Sequence, residues 1–93
     1  MKELTLFYLE GCPYCINAKR ALEELRSERT QYAAVPLKWI EESREPALAD
    51  EYDYYYVPTA YLDGRKLYEA APGQRYEEIR ESLRRALDAA LAG

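Results

Sequence analysis

Residues 4–15 read Leu4-Thr5-Leu6-Phe7-Tyr8-Leu9-Glu10-Gly11-Cys12-Pro13-Tyr14-Cys15 and include both cysteines of this 93-residue chain. The apolar run at its start predicts a strand that is buried on both faces, and Gly11 ends that strand. Pro13 fits the first turn of a helix, where its missing N–H is not needed. Apolar residues then recur at helical spacing as far as Leu25, so we predict a helix over about 13–28.

The two cysteines, separated by two residues, are predicted to form a redox-active pair. They can close a small disulfide ring with little movement of the backbone. A helix that starts near Pro13 places Cys12 at its cap, where the positive end of the helix dipole favours thiolate. We therefore expect Cys12 to be the exposed, attacking thiol and Cys15 to be the more buried, resolving thiol. Pro13 stiffens the ring, and Tyr14 offers an aromatic surface beside it.

The rest of the chain predicts the element order βαβαββα in one domain over residues 1–93. Pro36 indicates that the second strand lies at a sheet edge, and Ser43 is a candidate N-cap for the second helix. Asp63-Gly64 is typical of a type I′ hairpin. The predicted ranges are strand Ala33–Ile40, helix from Arg44 or Pro46 to Tyr52, strands Thr59–Leu62 and Arg65–Glu69, and helix 75–91. The expected architecture is α/β: a four-stranded mixed sheet with helices 1 and 3 on one face and helix 2 on the other.

Composition limits the classes of partner. Thirteen basic and 17 acidic residues give a net charge of −4, which does not suit a nucleic-acid-binding surface. Residues 41–53 concentrate the acidity, with six acidic side chains against Arg44, a local net charge of −5. The sequence has no apolar run long enough to span a membrane and no secretory n-region and h-region. We expect a soluble, cytoplasmic, monomeric protein without membrane or nucleic-acid partners.

The composition of the chain limits the other uses of the cysteine pair. A structural zinc site needs about four ligands, whereas the chain has two cysteines and no histidine. The same lack of histidine excludes a Cys–His nucleophile. A metal or cluster shared between two chains, a redox-sensing module and an inert buried pair remain as alternatives. Pro13 argues against the cluster, because it stiffens the loop and removes a backbone donor near the sulfurs.

The quoted motifs resemble the glutaredoxin branch of the thioredoxin-fold family over nearly the whole chain. Cys-Pro-Tyr-Cys is the usual glutaredoxin active-site tetrapeptide, and Val57-Pro58-Thr59 matches the family's cis-proline motif. The resemblance implies a glutaredoxin-like thioredoxin fold and thiol-disulfide oxidoreductase activity on protein disulfides or mixed disulfides. It also implies that Pro58 is cis and holds the Val57 backbone beside Cys12, where it can pair with an extended substrate segment. Tyr56 and Thr59 flank this substrate-binding position.

The electron donor is left open by three departures from glutaredoxins that use glutathione. Leu9 stands where those proteins carry a lysine, and Tyr56 stands where threonine is usual. Residues 70–75, Ala-Ala-Pro-Gly-Gln-Arg, replace the Gly-Gly-x-Asp segment that binds glutathione. Glutathione as a co-substrate and a flavin-dependent, thioredoxin-reductase-type enzyme are both candidates. No tightly bound cofactor is expected.

Ten tyrosines are present, and four of them fall in Tyr52–Tyr56. One interpretation is that they complete the core and hold the loop before Val57-Pro58, since a tyrosine can bury its ring while its hydroxyl meets water. The other is that Tyr14, Tyr54 or Tyr55 forms a docking rim around Cys12, with residues 41–53 selecting basic partners.

Overall fold

A computed structural model describes residues 2–93 as a four-stranded sheet with helices on both faces. The sheet order is β2-β1-β3-β4, with β1 and β2 parallel and the other neighbours antiparallel. The elements are β1 (Leu4–Tyr8), α1 (Pro13–Glu28), α2 (Thr30–Ala33), β2 (Leu37–Glu41), α3 (Pro46–Ala49), β3 (Thr59–Leu62), β4 (Arg65–Glu69) and α4 (Tyr76–Ala92). This confirms the predicted mixed sheet, the edge position of the second strand and the bounds of the first helix.

The second predicted strand begins later than expected, because the chain first forms the unpredicted helix α2. The Arg29 carbonyl accepts hydrogen bonds from the N–H groups of Tyr32 and Ala33, at 3.1 and 3.2 Å. This turn carries the Tyr32 ring into the core, where it is 3% exposed. The prediction of a strand from Ala33 and of three helices is therefore wrong. Burial of Tyr32 against helices elsewhere in the chain outweighs the local strand pattern.

The predicted second helix starts at Pro46, one of the two predicted starts, but it is shorter than expected and has a different N-cap. It covers Pro46–Ala49, and Glu45 rather than Ser43 occupies its N-cap position. A residue before proline is disfavoured in the helical region, and Glu45 accordingly has φ −133°. The Ser43 N–H and hydroxyl instead donate to the Glu41 carboxylate, at 2.7 and 2.6 Å.

The two faces of the sheet bury separate apolar clusters. On one face α1, α2 and α4 cover residues such as Leu6 and Leu62. On the other face, Phe7, Ile40 and Tyr61 pack against α3 and the segment that follows it. The predicted distribution of the long helices and the short acidic-segment helix over the two faces is confirmed.

The β3–β4 hairpin has the predicted turn but an irregular register. Asp63 and Gly64 have φ values of 54° and 82°, as a type I′ turn requires. Tyr61 pairs with Lys66, whereas Ala60 pairs with Tyr68, so Leu67 is an extra residue in β4. This bulge shifts the far end of the hairpin by one residue and places Glu69 opposite Thr59.

Candidate active site

The cysteine pair lies where β1 ends and α1 begins. Cys12 is the N-cap residue of α1, in extended conformation with φ −69° and ψ 124°, and it is half-buried. Cys15, in the first turn of the helix, is only 2% exposed. Both are free thiols. The Cys12 sulfur is therefore the one that a large molecule can approach.

The buried thiol of Cys15 is held in the protonated form. Burial raises the pKa of Cys15 to about 12, and the neighbouring Cys12 adds to this increase. The Leu9 N–H donates a hydrogen bond to the Cys15 sulfur at 3.5 Å, and this bond lowers the pKa of Cys15. A thiol with this pKa is almost entirely protonated at neutral pH.

The predicted substrate-binding residues lie at the start of β3, which pairs with β1, the strand that precedes Cys12. The Val57-Pro58 peptide bond is cis, and the Val57 carbonyl oxygen lies 4.0 Å from the Cys12 sulfur. Pro58 and Thr59 are buried, and the Thr59 hydroxyl donates to the Tyr56 carbonyl at 2.6 Å. The structure thus brings together Cys12, Val57 and Pro58, which are far apart in the chain.

Tyr14 is tied to a neighbouring turn rather than projecting freely beside the cysteines. Its hydroxyl accepts a hydrogen bond of 2.6 Å from the Gly73 N–H. In the same turn, Gln74 accepts a bond of 2.6 Å from the Tyr68 hydroxyl. Pro13 is exposed between the two cysteines. The turn that replaces the Gly-Gly-x-Asp segment is therefore fastened to the active-site helix.

The Tyr52–Tyr56 cluster divides into partly buried and exposed members. Tyr52 and Tyr54 pack on Phe7, with ring centroids 4.7 and 5.0 Å away. Burial, followed by the hydrogen bond to Glu42, raises the pKa of Tyr54. Tyr54 is therefore a core contact and not part of an exposed rim. Tyr55 and Tyr56, by contrast, are 88% and 51% exposed.

The large apolar side chains that are exposed stand close in the chain to the active-site residues. Over residues 2–93 they are Ile16, Tyr55 and Tyr56. Ile16 follows Cys15, and its N–H donates to the Cys12 carbonyl at 2.9 Å. Tyr55 and Tyr56 directly precede Val57.

Two carboxylates hold the backbone segments of this site, and sequence reasoning missed both. Glu41, 7% exposed at the end of β2, accepts a bond of 3.1 Å from the Glu10 N–H in the turn before Cys12. Glu69 accepts bonds from the N–H groups of Tyr55 and Tyr56, at 2.6 and 2.8 Å. In the sequence Glu41 belongs to an acidic run and Glu69 ends a strand, so neither pattern signals this role.

Residues 2–93 hold neither a metal-binding cluster nor a membrane-spanning helix. They contain no cluster of three or more cysteine, aspartate or glutamate side chains arranged to bind a metal ion. No helix within them has the length and apolar character needed to cross a membrane.

Known proteins resemble this chain in sequence and in structure. Residues 6–72 match the family described as the N-terminal domain of glutathione S-transferase. A thioredoxin of Methanocaldococcus jannaschii is 32% identical over 85 residues, which cover 91% of this chain and 95% of that protein. Thioredoxin 1 of Thermosipho africanus superposes with a TM-score of 0.60 at 13% identity, over 96% of this chain and 98% of that one.

A thioredoxin-like protein from Clostridium perfringens superposes with a TM-score of 0.56 at 26% identity, over 91% of this chain and 70% of that chain. The superpositions confirm the predicted thioredoxin fold.

Proposed function

This chain belongs to the thioredoxin family of thiol oxidoreductases, and we propose that it reduces protein disulfides through Cys12 and Cys15. One observation carries the proposal. The accessible sulfur of Cys12 lies 4.0 Å from the carbonyl oxygen of Val57, which precedes cis Pro58. This backbone group can pair with an extended substrate segment and align its disulfide with the attacking sulfur.

The two cysteines act in sequence. The Cys12 thiolate attacks one sulfur of the substrate disulfide, forming a mixed disulfide while the other substrate sulfur leaves and takes up a proton. Cys15 then loses its proton and attacks the Cys12 sulfur. The bond to the substrate breaks, and the second substrate sulfur leaves and is protonated. The substrate gains two electrons and two protons, and Cys12 and Cys15 are left as a disulfide.

Proteins are the substrates best supported by the surface around Cys12. Tyr55, Tyr56 and Ile16 expose apolar surface. A protein substrate can bury this surface on binding, whereas a small disulfide does not contact it. Replacing Tyr55 and Tyr56 by Ser should weaken exchange with a protein disulfide and leave exchange with a small disulfide unchanged. Equal loss for both substrates would reject the docking surface.

The reductant is proposed to be a flavin-dependent, thioredoxin-reductase-type enzyme, with glutathione as the competing donor. Leu9 and the 70–75 turn depart from the residues that glutathione-using glutaredoxins carry at these positions. The Cys12–Cys15 disulfide must be reduced after each cycle, which requires a reducing compartment. We therefore propose that the protein acts in the cytoplasm.

The test measures reduction of insulin disulfides and of a glutathione mixed disulfide, each with a glutathione system and with thioredoxin reductase. Cys12→Ser should abolish every activity. Cys15→Ser should accumulate a mixed disulfide with the protein substrate, because the resolving thiol is missing. Full activity of the Cys12→Ser protein would reject Cys12 as the nucleophile.

A redox-sensing or metal-binding module is the competing assignment for the same cysteines. Visible absorbance after anaerobic purification would favour a bound cluster, and its absence would favour disulfide exchange. No turnover in any of the four assays would favour a redox-sensing module.

A further inference from the structure

Tyr55 and Tyr56, which precede the Val57-Pro58 bond, are held through hydrogen bonds of their backbone. The side chains of Tyr55 and Tyr56 are 88% and 51% exposed. Their N–H groups both donate to the same carboxylate oxygen of Glu69, at 2.6 and 2.8 Å. Hydrogen bonds to an ionised carboxylate are stronger than those between neutral groups. Glu69 therefore restrains the N–H side of both residues, while the Thr59 hydroxyl binds the Tyr56 carbonyl.

Lys66 completes this arrangement from the same strand. Its ammonium group lies 2.7 Å from the second oxygen of Glu69 and donates to the Asp53 carbonyl at 3.2 Å. Although burial opposes the change, Lys66 and the two N–H groups lower the pKa of Glu69. The carboxyl group is consequently ionised at neutral pH and accepts at both oxygens.

The bulge in β4 is what allows Lys66 and Glu69 to cooperate. Residues three apart in a regular strand project from opposite faces of the sheet. The extra residue, Leu67, reverses this alternation, and the two side chains meet on one face. The β4 bulge disrupts the ladder of hydrogen bonds locally. It also places the Lys66–Glu69 ion pair where Glu69 can bind the segment before Pro58.

We propose that Glu69 is a positioning residue for protein substrates, and this rests on the proposed function. By holding the N–H groups of Tyr55 and Tyr56, it sets the place of the Val57 backbone relative to the Cys12 sulfur. It also keeps the two exposed rings on the side where a partner docks. A substrate that pairs with Val57 depends on this geometry, whereas a small disulfide that meets only the Cys12 sulfur does not.

The experiment compares KM and kcat of the wild type, Glu69→Ala and Glu69→Gln for insulin and for hydroxyethyl disulfide, with Glu77→Ala as a control. Glu77 is an exposed carboxylate on α4, so its removal changes the net charge equally. Glu69→Ala should raise KM for insulin about tenfold, as expected for two lost hydrogen bonds, with kcat/KM for the small disulfide unchanged. Glu69→Gln keeps one acceptor oxygen and should recover part of the loss.

Equal losses for both disulfides, or none for insulin, would overturn the proposal. A merely structural role for Glu69 would lower thermal stability without separating the two substrates. Hydrogen exchange of the Tyr55 and Tyr56 amides provides a second measurement that does not depend on turnover. Their exchange should accelerate in Glu69→Ala and stay slow in Glu77→Ala, and unchanged exchange would contradict the restraint. A wild type inactive on both disulfides would instead reject the proposed function.

Discussion

Cys12 and Cys15 differ in environment although they are three residues apart. The first turn of α1 begins between them, so that Cys12 is partly exposed at the N-cap while Cys15 is buried. A thiol in apolar surroundings loses the solvation that stabilises its thiolate, and this is the main reason that the pKa of Cys15 is raised. The proposed order of attack follows from this difference in burial.

Alkylation of the single-cysteine variants tests the difference directly. In native buffer at pH 8, iodoacetamide should modify Cys15→Ser, which retains Cys12, at least ~10-fold faster than Cys12→Ser, because only the thiolate reacts. The rates are measured by mass spectrometry of the intact protein. In concentrated denaturant the two variants should react alike, and similar rates in native buffer would contradict the assigned burial.

At the level of elements, the active-site turn depends on the end of the neighbouring strand. Glu41 lies at the end of β2. One of its carboxylate oxygens accepts a hydrogen bond from the Glu10 N–H, and the other accepts hydrogen bonds from the N–H and hydroxyl of Ser43. The hydroxyl of Ser43 and then the Glu10 N–H lower the pKa of Glu41. A carboxyl group with a lowered pKa in the folded state stabilises that state most when it is ionised.

Glu41→Gln should therefore reduce stability in a pH-dependent way. The wild type should have the larger free energy of unfolding at pH 7. This advantage should persist above the unfolded pKa of about 4.3 and decline as the pH falls below it. Urea unfolding between pH 3 and pH 7 measures the difference. Glu51→Gln, an exposed change in the same acidic segment, is the control, and a difference independent of pH would contradict the linkage.

For the whole molecule, stability rests on the larger apolar cluster, which joins α1 and α4 to the sheet. Leu83 of α4 is fully buried in this cluster, together with Leu22 of α1 and Leu6 of β1. The site lies at one end of this packed layer. The packing of this cluster therefore positions the junction of β1 and α1, where Cys12 lies. The cluster itself contains no reactive group.

Leu83→Ala should destabilise the protein by roughly 2–5 kcal/mol, because it removes buried methyl groups and leaves a cavity. For a domain of this size that loss lowers the melting temperature by about 10 °C or more. Thermal unfolding followed by circular dichroism measures the change, with the exposed Arg85→Ala as a control. A fall in melting temperature as small as that of Arg85→Ala would show that the core repacks around the smaller side chain at position 83.

Much of the fold could be predicted because its signals are local. The apolar run before Cys12, the helical spacing after Pro13 and the Asp63-Gly64 turn each specify a conformation from neighbouring residues alone. The predicted strand from Ala33 and the Ser43 cap were wrong for the opposite reason. Tyr32 is drawn into the core by distant helices, and Ser43 is bound by Glu41.

The sequence by itself determined the strand–Cys-Pro-Tyr-Cys–helix junction and the hairpin turn, since short-range sterics and periodicity encode them. Only the tertiary structure decided which tyrosines face solvent, where the β4 bulge falls and which carboxylates hold the active-site backbone. Glu69 reaches Tyr55 and Tyr56 only because Leu67 shifts the register of its strand. Such contacts join residues distant in the chain, and their energies depend on burial and geometry that exist only once the sheet has formed.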